Sequence, residues 1–411
     1  MVTLLVGLDW ADEKHDVCIR DEFGATLTEL TIAHSREGLE LLRDQVRAAS
    51  RGQETEVLCA IETNQGLLVN FLLEQGWTVY ALNPKAVDRY RDRLRNARAK
   101  SDRLDAWLLA DILRTDRQLH RPIQPDSELV RELRELTRSR EDLGQESVRL
   151  INQLQACLKT YWPESLGFFS ELDRPIALDF LARYPTWKQA HKASLKVLQA
   201  YFKTHHHPRW EQKAQAIYEA LRAPRIDAPA YLVRPRSRQM LHLVRQLQTV
   251  TADLKTFDKE IERLLGMHPD GQLFLSLPGA GANLAARMLA EIGDSRERYA
   301  TANSLQCDAG TAPVTKKSGK SLSVVLFRRT CKKQLRHALH LFAGSSLQYC
   351  PWARTLYEEQ RAKGKRYAEA VRTVANRWVK IIFGMRRSGS CYDERRYLAA
   401  KERFLEGSQV A

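Results

Sequence analysis

Four acidic residues in the first third of the chain have the types and spacing of a metal-binding site. Asp9 ends one apolar run, and Glu62 directly follows another. Acids that end neighbouring buried strands face the same edge of a sheet, where sites in α/β folds gather. Asp102 and Asp105 are three residues apart, so on a helix both carboxylates lie on one face. The sequence therefore predicts that these four carboxylates converge.

Converging carboxylates repel one another unless a cation binds between them. Ligation by oxygen alone suits Mg²⁺ or Mn²⁺, and two such ions ~3.5–4 Å apart can stabilise the attacking and leaving oxygens of a phosphoryl displacement. Each acid also has a structural alternative: Asp102 could cap a helix, and Asp105 could pair with a nearby arginine. Four neighbouring acids rank lower because they lack the strand-end or same-face placement: Asp12, Asp16, Asp21 and Asp111.

The elements that must position the acids follow from the hydrophobic pattern. Residues 2–8 are almost wholly apolar, as expected of a central strand buried on both faces. Further strands are predicted at 16–20, 27–32, 57–61 and 77–82, and helices at 36–49 and 66–75. This order indicates a mixed α/β sheet, followed after about Asp102 by a chain that looks helical.

Two later stretches keep a heptad pattern of apolar residues, 129–157 and 240–265. They predict two long helices paired as a stalk, within one chain or between subunits. The alternative is two amphipathic helices packed on their own domain. Polar residues interrupt the apolar seam at Arg140, Ser147 and Asp258.

The region between these helices, residues 162–236, is predicted to be a helical insert punctuated by seven prolines, the last of them Pro235. It contains three adjacent histidines at 205–207. Because adjacent side chains point in different directions on any regular element, we expect a solvated loop there and no metal site.

The charge balance predicts a polyanionic partner. The chain of 411 residues has 65 Lys and Arg against 50 Asp and Glu, a formal net charge of +15. Such a surplus favours association with phosphate backbones, because binding releases their counterions. Residues 85–103 contain eight basic residues directly before the paired aspartates. The candidates for phosphate contact in this stretch are Arg91, Arg95, Arg98 and Lys100.

A second basic region, residues 309–357, has no acidic residue across 49 positions. Its candidates for nucleic-acid contact are Lys316, Lys317, Lys320, Arg328 and Arg329. A serine among these cations could attack a phosphodiester, and the residues alone leave Ser318, Ser321 and Ser323 open for that role. Upstream, the small-residue loop 277–281 precedes a predicted helix, where it could bind a phosphate or serve only as a tight turn.

Several protein classes are disfavoured. The seven cysteines are scattered and form no CxxC pair, so neither a zinc ribbon nor a disulfide framework is indicated. No stretch approaches the roughly 20 apolar residues of a membrane span, and the first apolar run is too short for a signal peptide. We expect a cytoplasmic protein that does not bind membranes.

Taken in order along the chain, the motifs resemble a known family, the DEDD-type insertion-sequence transposases of the IS-one-ten (IS110) family. The first matching segments are Gly7-Leu8-Asp9-Trp10-Ala11, Ala60-Ile61-Glu62-Thr63, Asn83-Pro84 and Lys100-Ser101-Asp102-Arg103-Leu104-Asp105-Ala106. The later ones are Leu277-Pro278-Gly279-Ala280-Gly281, Ala309-Gly310-Thr311-Ala312-Pro313 and Ser318-Gly319. Trp10 and the run Asn64-Gln65-Gly66 depart from the commoner pattern, but neither removes a proposed ligand.

The resemblance implies an architecture of α/β plus all-α type. Residues 1–125 would form an RNase H-like (RuvC-type) catalytic domain. Residues 126–268 would form coiled-coil helices with the insert at 162–236, and residues 269–411 a mainly helical transposase domain with a nucleophilic serine. By motif position the acids map to Asp9, Glu62, Asp102 and Asp105, and the serine maps to Ser318.

The resemblance also implies a function. The chain would be an Mg²⁺-dependent (or Mn²⁺-dependent) DNA recombinase that cuts and rejoins donor and target DNA through a phosphoserine intermediate, guided by a structured non-coding bridge RNA. It would act as a homo-oligomer, a dimer or a tetrameric synaptic complex, in which the acids of one subunit complete a site with the serine of another. The alternative from the acids alone is a RuvC-like junction nuclease that uses water as its nucleophile.

Overall fold

The computed structural model describes residues 2–94, 102–318 and 322–395, without the side chains of residues 93, 94, 102, 316–318 and 322–325. The chain divides into two units, Met1–Pro125 and Asp126–Ala411. Each unit is described by itself. The division into three domains at residues 125 and 268 stays a prediction.

The first unit contains a five-stranded mixed sheet. Its strands are β1 (Val2–Trp10), β2 (Lys14–Asp21), β3 (Thr26–Ala33), β4 (Thr55–Ile61) and β5 (Thr78–Ala81). Their order in the sheet is β3-β2-β1-β4-β5. Strands β1, β2 and β3 pair antiparallel, whereas β4 pairs parallel to both β1 and β5. This mixed sheet fits an RNase H-like domain and confirms the predicted α/β class of the first unit.

Helices cover both faces of the sheet, as the apolar centre of β1 requires. They are α1 (Arg36–Ala49), α2 (Leu67–Glu74), α3 (Pro84–Leu94) and α4 (Asp102–Asp116), followed by a 3₁₀ turn at Arg117–Leu119. Leu42 of α1 and Leu72 of α2 are fully buried against one face. On the other face α4 packs through a second apolar cluster that includes Leu109. The predicted helix at 36–49 is confirmed residue for residue.

Helix α4 crosses β1 at Gly7 with no side chain between the two backbones. A Cβ atom placed on Gly7 would lie 1.9 Å from the carbonyl oxygen of Ala106 and 2.5 Å from the amide nitrogen of Ala110. Because both contacts are with backbone, no side-chain movement relieves them. Glycine at position 7 is therefore what lets the helix lie this close to the strand.

We expect Gly7→Ala to lower the free energy of unfolding of the first unit by about 3 kcal/mol or more, because the added methyl group forces α4 away from the sheet. Urea unfolding followed by circular dichroism measures this change. The matched control is Gly384→Ala in the C-terminal unit, where an added Cβ meets nothing within 4 Å. That substitution in a helix interior should instead stabilise the protein by about 1 kcal/mol. Equal stability of Gly7→Ala and the wild type would refute the close approach.

The second unit is mainly helical. Its helices are α5 (Glu128–Tyr161), α6 (Pro175–Arg183), α7 (Trp187–His191), α8 (Leu195–Thr204), α9 (Trp210–Ala220), α10 (Ala230–Met267), α11 (Gly271–Leu275), α12 (Gly281–Ile292), α13 (Ala302–Asp308), α14 (Lys333–Ser346), α15 (Pro351–Ala362) and α16 (Tyr367–Ser388). A 3₁₀ turn at Pro163–Gly167 follows α5. Two strands, β6 (Val314–Ser318) and β7 (Leu322–Leu326), form an antiparallel hairpin.

The two heptad stretches lie on the long helices α5 and α10, which pack against each other. Leu154 of α5 and Leu247 of α10 are fully buried in the same apolar cluster. Two of the polar interruptions pair with each other, since Arg140 donates to Asp258 at 2.8 and 3.2 Å. The charged residues thus join the helices at the point where the apolar seam is broken. A supercoiled coiled coil goes beyond this packing and stays a prediction.

The region predicted as a proline-punctuated insert contains the short helices α6 to α9. Helix α10 begins at Ala230, inside the predicted insert, and includes Pro235; the bounds of the insert stay a prediction. Proline at position 235 removes the hydrogen bond to the carbonyl of Tyr231, in the first turn, and its ring also crowds that carbonyl. Tyr231 is 79% exposed, so water can serve that carbonyl instead.

The expectation that the chain is helical throughout after about Asp102 is wrong at the β6–β7 hairpin. Strand register pairs Val314 with Leu326 and Ser318 with Leu322. The strand was not predicted because the lysines of this segment are typical of a basic loop. Ser318, the proposed nucleophile, is the last residue of β6.

Candidate active site and nucleic-acid interface

Two of the predicted ligands lie side by side at the carboxyl ends of parallel strands. The register of β1 and β4 pairs Leu8 with Ile61, so Asp9 and Glu62 are the next residues along the two strands. Strand side chains alternate between faces, which places Asp9 on the side of Gly7. Since α4 packs over Gly7, Asp9 lies on the α4 face of the sheet, and Glu62 lies in the bend directly after β4. Each is half-buried.

The other two predicted ligands lie on α4, which begins at Asp102. Asp105 is one turn further along and is 6% exposed. Ala106 of the helix lies over Gly7 of β1, which is two residues before Asp9. Asp105 thus lies next to the crossing point of α4 and β1, on the face of the sheet that carries Asp9. The side chain of Asp102 lies outside the described part of the chain.

Arg91 of α3 holds Asp105 in place. Its Nε and Nη2 donate to Oδ1 of Asp105 at 3.0 and 2.7 Å, while its Nη1 donates to Asp88 at 2.7 Å. Burial works against the charge on Arg91, but the hydrogen bond and attraction to Asp105 outweigh it and raise the pKa of the guanidinium. Arg91 was predicted as a phosphate contact. In the structure its guanidinium lies on the acidic site and offsets part of the negative charge there.

The donor set suits a hard divalent cation, because it consists of carboxylates. Among the described side chains, which do not include Asp102, no group of three or more His, Cys, Asp or Glu is arranged to hold a metal ion. One oxygen of Asp105, Oδ1, accepts both hydrogen bonds from Arg91. The acids fit Mg²⁺ or Mn²⁺ in chemistry, and Asp105 would need to share that oxygen or turn its other one to the ion.

Asp16 is a further acidic neighbour that sequence analysis ranked low. It lies directly opposite Asp9 in the β1–β2 register, on the same face of the sheet. It is 8% exposed and accepts a hydrogen bond from Thr31 Oγ1 at 2.5 Å. The signal that could have found it is the antiparallel pairing of β1 with β2, which the sequence indicates only once the turn between them is fixed. Asp111, also ranked low, bonds Arg20 and Arg114 and has a structural role.

The predicted basic contacts fall into two groups. Arg95, Arg98, Lys100 and Lys320 lie outside the described residues, as does the competing Ser321, and Lys316 and Lys317 are described only as backbone in β6. Arg328 donates to the carbonyl of Ala312 at 3.3 Å, and Arg329 is exposed. Ser323 lies in β7, opposite Lys317.

The small-residue loop before α12 has a structural use for its glycine. Gly279 has a φ of +80°, which favours glycine, and a Cβ there would lie 2.7 Å from the ring of Tyr349. Its carbonyl accepts a hydrogen bond from Ser345 Oγ at 2.8 Å. The tight-turn interpretation therefore accounts for Gly279 without a bound phosphate.

Within the described residues, the structure contains no helix with the length and apolar character needed to cross a membrane.

Comparison with known proteins gives two family matches. Residues 6–163 match a family described as transposase, and residues 271–358 match the transposase IS116/IS110/IS902 family. The chain is 35% identical to the "Mini-circle putative transposase for IS117" of Streptomyces coelicolor over 97% of both chains. It is 28% identical to the 43.6 kDa protein of insertion element IS110 of Streptomyces coelicolor, over 96% of each chain. It is 26% identical to the 42 kDa protein of insertion element IS900 of Mycobacterium paratuberculosis, over 94% of this chain and 96% of the other.

Proposed function

Because the chain belongs to the IS116/IS110/IS902 family of transposases, we propose that it cuts and rejoins DNA with a carboxylate metal site and a serine nucleophile. Family membership indicates DNA cleavage and transfer, and a DEDD-type domain suggests use of a divalent metal. The observation that best supports the finer proposal is the shared face of Asp9 and Asp105, with Glu62 directly after the neighbouring strand β4.

We assign the metal-binding role to Asp9, Glu62, Asp102 and Asp105. Bound Mg²⁺ or Mn²⁺ would supply positive charge that polarises the scissile phosphate. Asp9 is fixed by strand pairing, Glu62 directly follows the paired strand β4, and Asp105 lies on a helix packed on the same sheet. Arg91 orients Asp105 through its two hydrogen bonds. Rigid elements of this kind hold a reactive group better than loops do.

We assign the nucleophile to Ser318. Its Oγ would attack the phosphorus, forming a phosphoserine bond while the bond to one deoxyribose oxygen breaks and that oxygen takes up a proton. One phosphodiester is exchanged for another, so no water is consumed and rejoining needs no outside energy source. Lys316, Lys317 and Lys320 would hold the backbone and offset the charge that develops on the phosphate. The cationic candidates Arg95, Arg98, Lys100, Arg328 and Arg329 would bind strand phosphates.

A transposase is expected to bind DNA. We further propose a structured bridge RNA that pairs with donor and target DNA, and assembly into a dimer or a tetrameric synaptic complex. The net charge of +15 supports nucleic-acid partners, since phosphate binding needs cations. Residues 1–125 form a compact unit of their own, which supports an RNase H-like catalytic domain there. We propose that coiled-coil helices and a C-terminal transposase domain follow it.

RNA guidance predicts that the purified chain recombines two DNA duplexes only with RNA transcribed from the non-coding DNA beside its gene. We expect product with that RNA and none without it, because base pairing rather than side chains would select the sequence. Changing the loop sequences of the RNA together with the matching DNA should move the site of recombination. The control is the same RNA with its loops scrambled. Recombination at an unchanged site with no RNA present would overturn the proposal.

A second candidate is a junction nuclease that hydrolyses DNA with water. The first unit favours it, because the sheet, α4 and the acids occur together in that unit without Ser318. The two functions differ in whether a covalent protein–DNA linkage forms.

A further inference from the structure

A cationic pair on an aromatic ring lies in the C-terminal unit, outside the proposed catalytic residues. Phe327 follows β7 and is 42% exposed. The guanidinium carbon of Arg336 in α14 lies 5.0 Å from the centre of its ring, and that of Arg372 in α16 lies 4.3 Å from it. We call these three residues the Phe327 clamp. Two positive charges are thus held as neighbours by residues from three separate elements.

Neither arginine of the clamp has a counter-ion in the part of the chain that the structure describes, where both guanidiniums form no ion pair or side-chain hydrogen bond. Glu369 is near enough to act on Arg372, but its carboxylate accepts the backbone N–H of Arg366 at the start of α16. Burial lowers the pKa of Arg372; the charge of Glu369 acts in the opposite direction, and the smaller effect of Arg336 lowers the pKa further. The clamp therefore holds a partly buried guanidinium that no described carboxylate pairs with directly.

Two other arginine–aromatic contacts among the described residues are different. Arg20 lies 4.5 Å from the ring centre of Trp107 and also bonds Asp111 at 2.6 Å. Arg225 lies 3.9 Å from that of Trp187 and also pairs with Asp227. In those cases a carboxylate completes the contact. A ring face holds a guanidinium without using its N–H donors, so the donors of the clamp are left for an external anion.

Two histidines of α14, His337 and His340, lie near the clamp. Burial, followed by the charges of Arg372, His337 and Arg336, lowers the pKa of His340, which favours its neutral form. Phe327 and Arg336 also fall in the run 309–357, which has no acidic residue. Two adjacent guanidiniums suit an anion that carries several neighbouring negative charges. A nucleic-acid strand provides such charges, with one phosphate per strand for about every 3.4 Å of duplex axis.

We propose that the Phe327 clamp is a binding site for the phosphodiester backbone of a nucleic acid, with Arg336 and Arg372 each contacting a phosphate. The inference rests on the proposed function only in that the chain binds nucleic acid. It does not depend on the four acids or on Ser318. It adds Arg372 to the interface, a residue far along the chain from the basic runs that sequence analysis identified.

The test measures binding of the full chain to duplex DNA and to single-stranded RNA of the same sequence, over a range of salt and without divalent metal. We expect Arg336→Gln and Arg372→Gln each to reduce the slope of log affinity against log salt by about 0.9 for duplex DNA or about 0.7 for a single strand. The double variant should lose about twice as much. Arg372→Lys should keep the wild-type slope, because it retains the charge. Whichever nucleic acid shows the loss is the one that the clamp binds.

Arg354→Gln is the matched control. Arg354 lies in the same acid-free run, but its guanidinium donates to the carbonyls of Leu347 and Gln348 at 2.9 and 3.3 Å. Its replacement should leave the slope unchanged. Thermal unfolding is the second readout. Arg372→Gln should melt at the same temperature as the wild type or higher, because it removes a partly buried charge that has no direct ion-pair partner among the described residues.

The outcomes separate this site from the proposed function. If the wild type binds and the double variant shows the same salt slope, the clamp is not a phosphate site. A lower melting temperature with an unchanged slope would likewise overturn it, since the arginines would then be structural. If the wild type itself binds neither DNA nor RNA, the proposed function fails as well.

Discussion

Asp105→Asn is expected to slow DNA strand cleavage by about 1,000-fold or more while leaving DNA binding intact. Losing one anionic ligand weakens the charge that would hold Mg²⁺, and a penalty of about 4 kcal/mol in the transition state corresponds to that factor. The fold should survive, because the amide oxygen of asparagine can still accept the hydrogen bonds from Arg91. Single-turnover cleavage of a labelled duplex, repeated over a range of Mg²⁺ concentrations, measures the effect.

The matched control is Asp111→Asn on the same helix. Asp111 pairs with Arg20 at 2.6 Å and with Arg114 at 2.9 Å, away from the proposed ligands. This variant should lose stability, because it leaves the buried Arg20 without an ionic partner. Its cleavage per folded molecule and its Mg²⁺ requirement should stay at wild-type values. Wild-type cleavage by Asp105→Asn would remove Asp105 from the metal site.

Ser318→Ala is expected to abolish covalent protein–DNA adducts, a loss of at least about 1,000-fold, with DNA binding unchanged. Alanine has no oxygen that can attack phosphorus, and removing a nucleophile typically costs most of the catalytic acceleration. Adducts are measured by denaturing electrophoresis of protein incubated with labelled DNA, followed by mass spectrometry of the linked peptide.

Ser321→Ala and Ser323→Ala are the controls, since both hydroxyls lie in the same basic segment. Each should form adducts at the wild-type rate. Loss of adducts in one of these variants, with Ser318→Ala still active, would move the nucleophile to that serine. If the wild type and all three variants cut DNA without forming adducts, the protein is better described as a junction nuclease that uses water.

The strand-end acids could be predicted from the sequence because a buried strand appears there as an apolar run. Asp9 and Glu62 each follow such a run, and the parallel register of β1 and β4 then sets them side by side. Asp16 was not accessible in this way. Its position opposite Asp9 depends on the antiparallel register of β2, and a shift of one residue would turn its side chain to the other face.

The local sequence pattern also could not predict a cluster whose residues come from elements far apart in the chain. Phe327, Arg336 and Arg372 come from a loop and two helices, so no spacing in the sequence connects them. The β6–β7 hairpin was missed for a different reason. Its lysines lower the apolar signal on which strand prediction relies, and its pairing is visible only in the register of Ser318 with Leu322.

The backbone contact between β1 and α4 has a consequence for metal selectivity. Because Gly7 places Ala106 directly on the strand, the separation of Asp9 from Asp105 is set by two main chains, which cannot repack as side chains do. Mg²⁺ demands oxygen ligands at 2.0–2.1 Å in near-ideal octahedral geometry, whereas Ca²⁺ accepts 2.3–2.6 Å and irregular geometry. A stiff spacing of this kind would let the proposed metal site discriminate between ions by size. We expect a folded variant with a looser crossing to discriminate less between Mg²⁺ and Ca²⁺ than the wild type does.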